Sequence, residues 1–406
     1  MNAERSPAPL PEPVQAIGLY VHVPFCVSKC PYCSFFSVAK ADSRNLQQRY
    51  VHAALVQMER VATGAGEGDA VLSRHPVDTI FFGGGTPTAL PVPLLVKLLT
   101  GCLKSFPLAQ ESVEISLEVN PGTVDREDLF LLRRAGFNRI SIGVQSLDDR
   151  ELHRLGRIHD RDQARRTVQW AREAGFYNLS LDLMFGLPGQ DPRSWRRTLE
   201  EALALEPDHL SIYELTLEKN TSFYLRDRQD DLHLPQEEII CEMMELTQWK
   251  TAAAGLNRYE ISNYARPGFA CRHNLKYWYN SNYIGIGPGA VSFLGNTRLT
   301  AIEDVDAYCR LLLYEKIGPG WRRVWVESET LDLEGRLRET VIMGLRLVRG
   351  VSRTRLQERF GLDIETFYGS VLERLRGAGL VEWAGDYLRL SPAGLRLANT
   401  VMAELV

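Results

Sequence analysis

No run in this chain approaches the ~18 consecutive apolar residues that a membrane-spanning helix needs. Any attachment to a membrane is therefore expected through a partner. Residues 1–15 are rich in Pro and Ala and have no apolar signal core, so they read as a loose tail and the protein is expected in the cytoplasm. Neither sign of charge is in excess. A formal net charge of −4 gives no bulk attraction to nucleic acid or anionic lipid. Cysteine is scarce: there are seven, an odd number for a disulfide framework. They are unevenly placed. Cys26, Cys30 and Cys33 form a tight group, whereas Cys102, Cys241, Cys271 and Cys309 are scattered. In a reducing compartment, a tight group of thiols indicates metal or redox chemistry more often than bridging.

What is present points to a large α/β domain and a smaller unit. The 406 residues, 45% of them apolar, can bury a sizeable core. Short apolar runs at 17–23, 77–82, 113–119, 139–144, 179–184 and 209–213 read as buried parallel strands. Amphipathic stretches at 44–61, 91–103, 126–135, 161–174 and 192–205 lie between them and read as helices. Polar residues gather at the carboxyl ends of the runs: Gly83–Gly85 with Thr86, Glu118 with Asn120, Gln145 with Ser146, and Asp182. Convergence of functional groups from successive strand ends predicts an open, partial (βα)6 TIM-like barrel. Beyond it, a helix over 236–253, a strand over 259–264 and a Gly-rich run over 284–290 are expected. Helices at 331–347, 352–360 and 364–377, then two short runs at 380–383 and 387–390 and a last helix, predict a small winged-helix-like α+β domain. The expected division is a tail (1–15), a barrel core with its extension (16–325) and the C-terminal domain (326–406).

Cys26-Val-Ser-Lys-Cys30-Pro-Tyr-Cys33 follows the first strand directly. Three thiolates from one loop can hold three corners of a four-iron cluster and leave the fourth iron open to a small chelating molecule. A zinc site completed by a distant His or Cys is the alternative. With Tyr20-Val-His-Val-Pro-Phe-Cys26, Phe82-Gly-Gly-Gly-Thr-Pro-Thr88, Gly143-Val-Gln-Ser146 and Asp182-Leu-Met-Phe-Gly-Leu-Pro188, the chain resembles the radical SAM superfamily from about residue 18 to its end. Within that superfamily it is most similar to the branch of oxygen-independent coproporphyrinogen III oxidases and HemW-type heme chaperones. The resemblance implies a 4Fe-4S cluster on Cys26, Cys30 and Cys33, and S-adenosylmethionine on its open iron. Reduction of that complex can cleave the sulfonium and release a 5′-deoxyadenosyl radical. The resemblance also implies that Tyr20, Tyr32, Gly84, Gly85, Thr86, Glu118, Gln145, Arg157 and Asp182 bind S-adenosylmethionine. Read from chemistry alone, Asp182 is equally a barrel-end hydrogen-bonding group, and Arg157 a surface ion pair.

Two features separate the branches. The oxidase pattern continues with a further Cys two residues after the third, where this chain has Phe35. That puts oxidative decarboxylation of propionates in heme biosynthesis in doubt. The chain also carries His273-Asn274-Leu275-Lys276-Tyr277-Trp278, which matches the HNxxYW signature of the chaperones. The resemblance then implies heme bound by His273 with Asn274, Tyr277 and Trp278, and delivery to heme-accepting proteins, membrane respiratory enzymes among them. From chemistry alone, His273 reads as a hydrogen-bonded core histidine. Cys271 could add a thiolate. The coproporphyrinogen oxidase and an anaerobic heme-degrading methyltransferase remain as alternatives, and whether the radical chemistry is used stays open. A homodimer is an expectation that no residue here specifies. Arg349, Arg353, Arg355 and Arg359 give the C-terminal unit a modest basic bias, read as a solvated helix face and not as a nucleic-acid site.

Overall fold

The computed structural model describes residues 16–39, 44–64, 75–109, 112–314 and 319–406; the expected 1–15 tail lies outside them. Six parallel strands form the centre: β1 (Ile17–Val23), β2 (Val77–Gly84), β3 (Glu114–Val119), β4 (Arg139–Gln145), β5 (Asn178–Phe185) and β6 (His209–Glu214), hydrogen-bonded in that order. Helices Arg44–Ala62, Val92–Ser105, Arg126–Ala135, Arg161–Glu173 and Pro192–Ala204 connect them. In three of these helices an aspartate at the N-cap (Asp125, Asp160 or Asp191) forms a reciprocal capping box, each such cap being worth about 1 kcal/mol.

Side chains alternate along each strand, and the alternation is apolar outward and polar inward. Ile140, Ile142, Leu179, Leu181, Leu210 and Ile212 join the core beneath the helices. The opposite faces carry Arg139 and Ser141, Asp182, Ser211 and Tyr213, which line an interior cavity. The inside of this sheet is therefore built for a ligand, not for packing.

Neither edge of the six strands meets the other. β6 pairs antiparallel with Asn263–Ala265, which turns back onto Asn257–Arg258. The strand expected over 259–264 is thus a correction: the chain reverses there, held by Ser262 N–H donating to Glu260 Oε1 at 3.0 Å and by the Arg258 guanidinium on Ile261 O. On the other edge, part of the Gly-rich run forms Tyr283–Ile286, parallel to β1. Antiparallel strands Val291–Leu294, Thr297–Ala301 and Trp325–Thr330 extend the sheet further.

The C-terminal unit has its own apolar core, from Leu337 to Leu405. Helices Leu333–Gly344 and Arg353–Phe360 flank the strand Val351–Ser352, which enters a three-stranded sheet ordered Val351–Ser352, Tyr387–Leu390, Val381–Ala384. The single helix expected over 364–377 is two, Ile364–Tyr368 and Ser370–Gly377. Gly369, with φ 47° and ψ −120°, breaks the run between them.

Candidate functional site

The cysteine loop leaves β1 at the carboxyl end of the sheet. Cys26 is buried, while Cys30 and Cys33 are half-buried, and all three thiols are free. The loop is sewn to β2: Gly85 N–H donates to Val23 O (2.9 Å) and Thr86 N–H to Phe25 O (2.7 Å). Cys26 Sγ lies 3.7 Å from Thr86 Oγ1. A Cβ on Gly84, which has φ 112°, would sit 2.7 Å from the His22 ring. The glycine thus makes room for the chain's own first strand. His22 Nε2–H donates to Phe36 O at 3.0 Å, which leaves Nδ1 to accept from Tyr20 OH at 3.2 Å. Burial holds the His22 pKa low, against the Phe36 hydrogen bond.

Arg157 is no surface ion pair. It donates from Nη1 to Cys30 Sγ at 3.5 Å and from Nη2 to Gly143 O at 2.9 Å, tying the cysteine loop to β4. Tyr32 is near enough to raise the Arg157 pKa, against the lowering effect of burial. The Tyr32 ring packs 6.2 Å from Phe223, whose N–H donates to Pro31 O. Gln145, the last residue of β4, has φ 64°, a left-handed backbone that costs a non-glycine residue energy and is often found at functional positions.

Below the loop lies a cavity of about 270 Å³ lined by Tyr20, Phe81, Glu118, Asp182, Tyr213 and His273. Ser141 Oγ donates to Asp182 Oδ1 at 2.9 Å, and Gly84 N–H donates to Glu118. Burial, then the neighbouring Asp182, pushes the Glu118 pKa up to about 8. Burial likewise raises Asp182, against hydrogen bonds from Ser211 and Ser141. Two carboxylates facing one low-dielectric space cannot both ionise cheaply unless a cation joins them. At the amino end of β4, Arg139 is buried and its Nε has no hydrogen-bond partner among the described residues. Burial would lower its pKa, but Cys271, Glu114 and Tyr259 keep it raised.

The helix Arg272–Trp278 closes the amino end of the barrel. Glu114, the first residue of β3, accepts from Arg272 N–H and His273 N–H, both at 3.1 Å. Asp78 receives Lys276 Nζ at 2.7 Å and Arg272 Nη2 at 3.4 Å, and Lys276 also donates to Ala16 O. His273 points into the barrel and is 1% exposed. Its Nδ1 lies 2.9 Å from Thr79 Oγ1 and its Nε2 3.0 Å from Tyr277 OH. Its ring stacks on Phe81 and Tyr20, with centroids 5.2 and 6.3 Å away. Burial, then Lys276 and Arg139, pulls its pKa down to about 3. Gly18 is what admits it: a Cβ there would meet Lys276 Cδ at 2.9 Å and His273 Cε1 at 3.1 Å. Asn274 and Tyr277 share the cavity. Trp278 does not; it faces the C-terminal domain beneath Arg346, 4.5 Å from its ring. Cys271 is fully buried, donates to Glu114 Oε1 at 3.6 Å, and is held a thiol by burial, with its pKa pushed up to about 12.

Tyr20, Glu118, Asp182, His273, Asn274 and Tyr277 thus share one cavity, and the three cysteines, Thr86 and Arg157 surround the loop above it. Arg139, Ser141, Ser211 and Tyr213 were missed as site residues. The polar–apolar alternation of β4 to β6 is the signal that marks them.

Cys26, Cys30 and Cys33 offer three free thiols from one loop at the carboxyl end of the sheet, a soft donor set of the kind that holds three corners of a four-iron cluster.

Comparison with known proteins bears on the same residues. The family described as the Radical SAM superfamily matches residues 20–202, and the HemN C-terminal domain matches 331–397. The "Heme chaperone HemW" of Bacillus subtilis (strain 168) is 36% identical, covering 95% of this chain and 98% of that protein. The "Heme chaperone HemW" of Escherichia coli (strain K12) is 42% identical over 68% of this chain and 69% of that protein. The mouse "Radical S-adenosyl methionine domain-containing protein 1, mitochondrial" is 34% identical over 96% and 87%. The solved structure of Escherichia coli coproporphyrinogen III oxidase (HemN), a radical SAM enzyme, aligns with TM-score 0.81 over 96% of this chain and 90% of that one at 22% identity, a likeness of fold.

Proposed function

This chain belongs to the radical SAM superfamily and, within it, to the family of HemW heme chaperones, and from that premise we propose that it binds heme and passes it to heme-requiring proteins. The observation that carries the reading is the near full-length match to HemW proteins in a chain that holds both the three-cysteine loop and the HNxxYW residues His273, Asn274, Tyr277 and Trp278. Cys26, Cys30 and Cys33 would hold the 4Fe-4S cluster. When bound, the cluster would supply one electron and an open iron for S-adenosylmethionine to chelate.

The chain's own residues do the rest. Arg157 holds the loop by its Cys30 sulfur and by the β4 backbone. Glu118 and Asp182 offer a cation-accepting pair, with Tyr20 beside them, so the sulfonium charge of the cosubstrate would favour their ionised forms. His273 has a definite cost as an iron ligand. Its Nε2 is engaged by Tyr277 OH, so it reaches a metal only if that contact is given up. Phe35 in place of a further cysteine weighs against coproporphyrinogen turnover. No helix among the described residues is long and apolar enough to cross a membrane. The proposed setting is the cytoplasm, with acceptors such as membrane respiratory enzymes met from the aqueous side and a homodimer as the proposed assembly.

The test is transfer. Anaerobically reconstituted chain loaded with one heme is mixed with an apo heme protein, and the acceptor's Soret band is followed. Transfer faster than from free heme is expected. Loaded chain that never yields heme, together with conversion of coproporphyrinogen III to protoporphyrinogen, would overturn the reading in favour of the oxidase.

A further inference from the structure

Between the helix Arg272–Trp278 and the C-terminal domain runs a cleft of about 110 Å³. Trp278, Leu347, Val351 and Leu356 give it apolar walls. Arg349, Arg355 and Arg359 line it as well, and no carboxylate is among its described lining residues. The Arg349 guanidinium lies 4.1 Å from the Tyr387 ring centroid, a stacked position that keeps its N–H edge directional. Arg359 is engaged with the helix end, donating to Tyr279 O at 3.1 Å and Asn280 O at 2.8 Å. Arg355 acts electrostatically on Asp386, a carboxylate that also accepts from Ser352 and Thr354. Trp278 carries a buried Nε1–H that no group accepts among the described residues.

An apolar slot edged by arginines selects a flat apolar molecule with anionic ends. Resting on the heme-binding reading above, we propose that this cleft receives the edge of a tetrapyrrole. Its ring lies against Trp278 and the aliphatic wall, and its two propionates meet Arg349 and Arg355. The cleft is smaller than a whole tetrapyrrole, so the opposite edge stays in water, where an acceptor protein can take hold of it. No His, Cys or Met lines the cleft, so retention there does not depend on iron.

The test uses the reconstituted full-length chain and three probes: heme, iron-free protoporphyrin IX, and protoporphyrin IX dimethyl ester. Quenching of tryptophan fluorescence and the porphyrin absorption band report binding. Wild type is expected to bind heme and the iron-free porphyrin comparably, and the ester at least about tenfold more weakly. Arg349→Glu with Arg355→Glu should weaken both acids by about tenfold or more, while Arg349→Lys loses less. Cluster absorbance and melting temperature serve as folding controls, and the single Arg349→Gln variant stands in if the double variant does not fold. Heme binding that persists in the arginine variants, or that vanishes without iron, would overturn the cleft assignment and leave the chaperone reading standing. Failure of wild type to bind any of the three probes would overturn both.

Discussion

Replacing His273 by Ala tests whether this residue is first an element of the barrel floor. The ring is 1% exposed, and its two nitrogens meet Thr79 Oγ1 and Tyr277 OH. Its removal leaves two buried hydroxyls without partners, at roughly 1–2 kcal/mol each. The lost ring adds a cavity between Phe81 and Tyr20, for about another 1–2 kcal/mol. The expected total is about 3–6 kcal/mol, with His273→Gln losing about half because its amide can keep one contact. A second signature follows from protonation. The His273 pKa lies near 3 when folded, against about 6.5 when unfolded. Between those values the unfolded chain binds a proton that the folded chain refuses, so stability falls as pH drops below about 6.5, by about 1.4 kcal/mol per pH unit. His273→Gln removes that contribution and flattens the slope. Urea denaturation of the apo chain at pH 7.5 and 5.5 measures both effects. If His273→Ala were as stable as wild type at both pH values while heme binding alone was lost, the floor assignment would be refuted and the residue would be a free ligand.

Glu118, with its pKa near 8, is protonated at neutral pH, so binding the cationic S-adenosylmethionine should release about one proton and tighten as pH rises from about 6 to 8. Calorimetry in buffers of different ionisation enthalpy reads that proton, and uptake in place of release would contradict the assignment. Asp78→Ala strands Lys276, whose side chain is 7% exposed, and should cost about 3–5 kcal/mol; the companion Lys276→Met, which removes the buried cation, should cost clearly less. Arg157→Leu should leave the fold intact but lower iron content on reconstitution and speed oxidative loss of the cluster, because the tie to Cys30 is gone; iron and sulfide assays over hours in air check this, and unchanged lifetimes would make Arg157 a bystander.

The six barrel strands were legible as short apolar runs set between amphipathic stretches, and in some a period-two alternation survives as well. In β4, Ile140, Ile142 and Val144 face the helices, while Arg139 and Ser141 face the cavity. The candidate residues on strand ends were legible for the same reason. The edge strands were not. Tyr283–Ile286 is only four residues long and opens a Gly-rich run, and the segment 259–264 has strand-like side chains but reverses direction through the bonds of Arg258 and Ser262. The core position of His273 agrees with the reading from its chemistry alone; hidden most fully was which groups would surround it. Its motif sits about 255 residues after Gly18 in the sequence, and only tertiary placement of the helix Arg272–Trp278 against Glu114 and Asp78 brings the ring under Tyr20. A glycine at position 18, inside an otherwise bulky strand, was the one local hint.

The most direct measurement is low-temperature EPR of anaerobically reconstituted, dithionite-reduced protein with and without S-adenosylmethionine. A single cubane signal whose g values shift when the cosubstrate is added, and which is lost in Cys26→Ala, Cys30→Ala and Cys33→Ala, is the predicted result. Protein that takes up one tetrahedral zinc and no iron, or a cubane signal that survives all three substitutions, would contradict it.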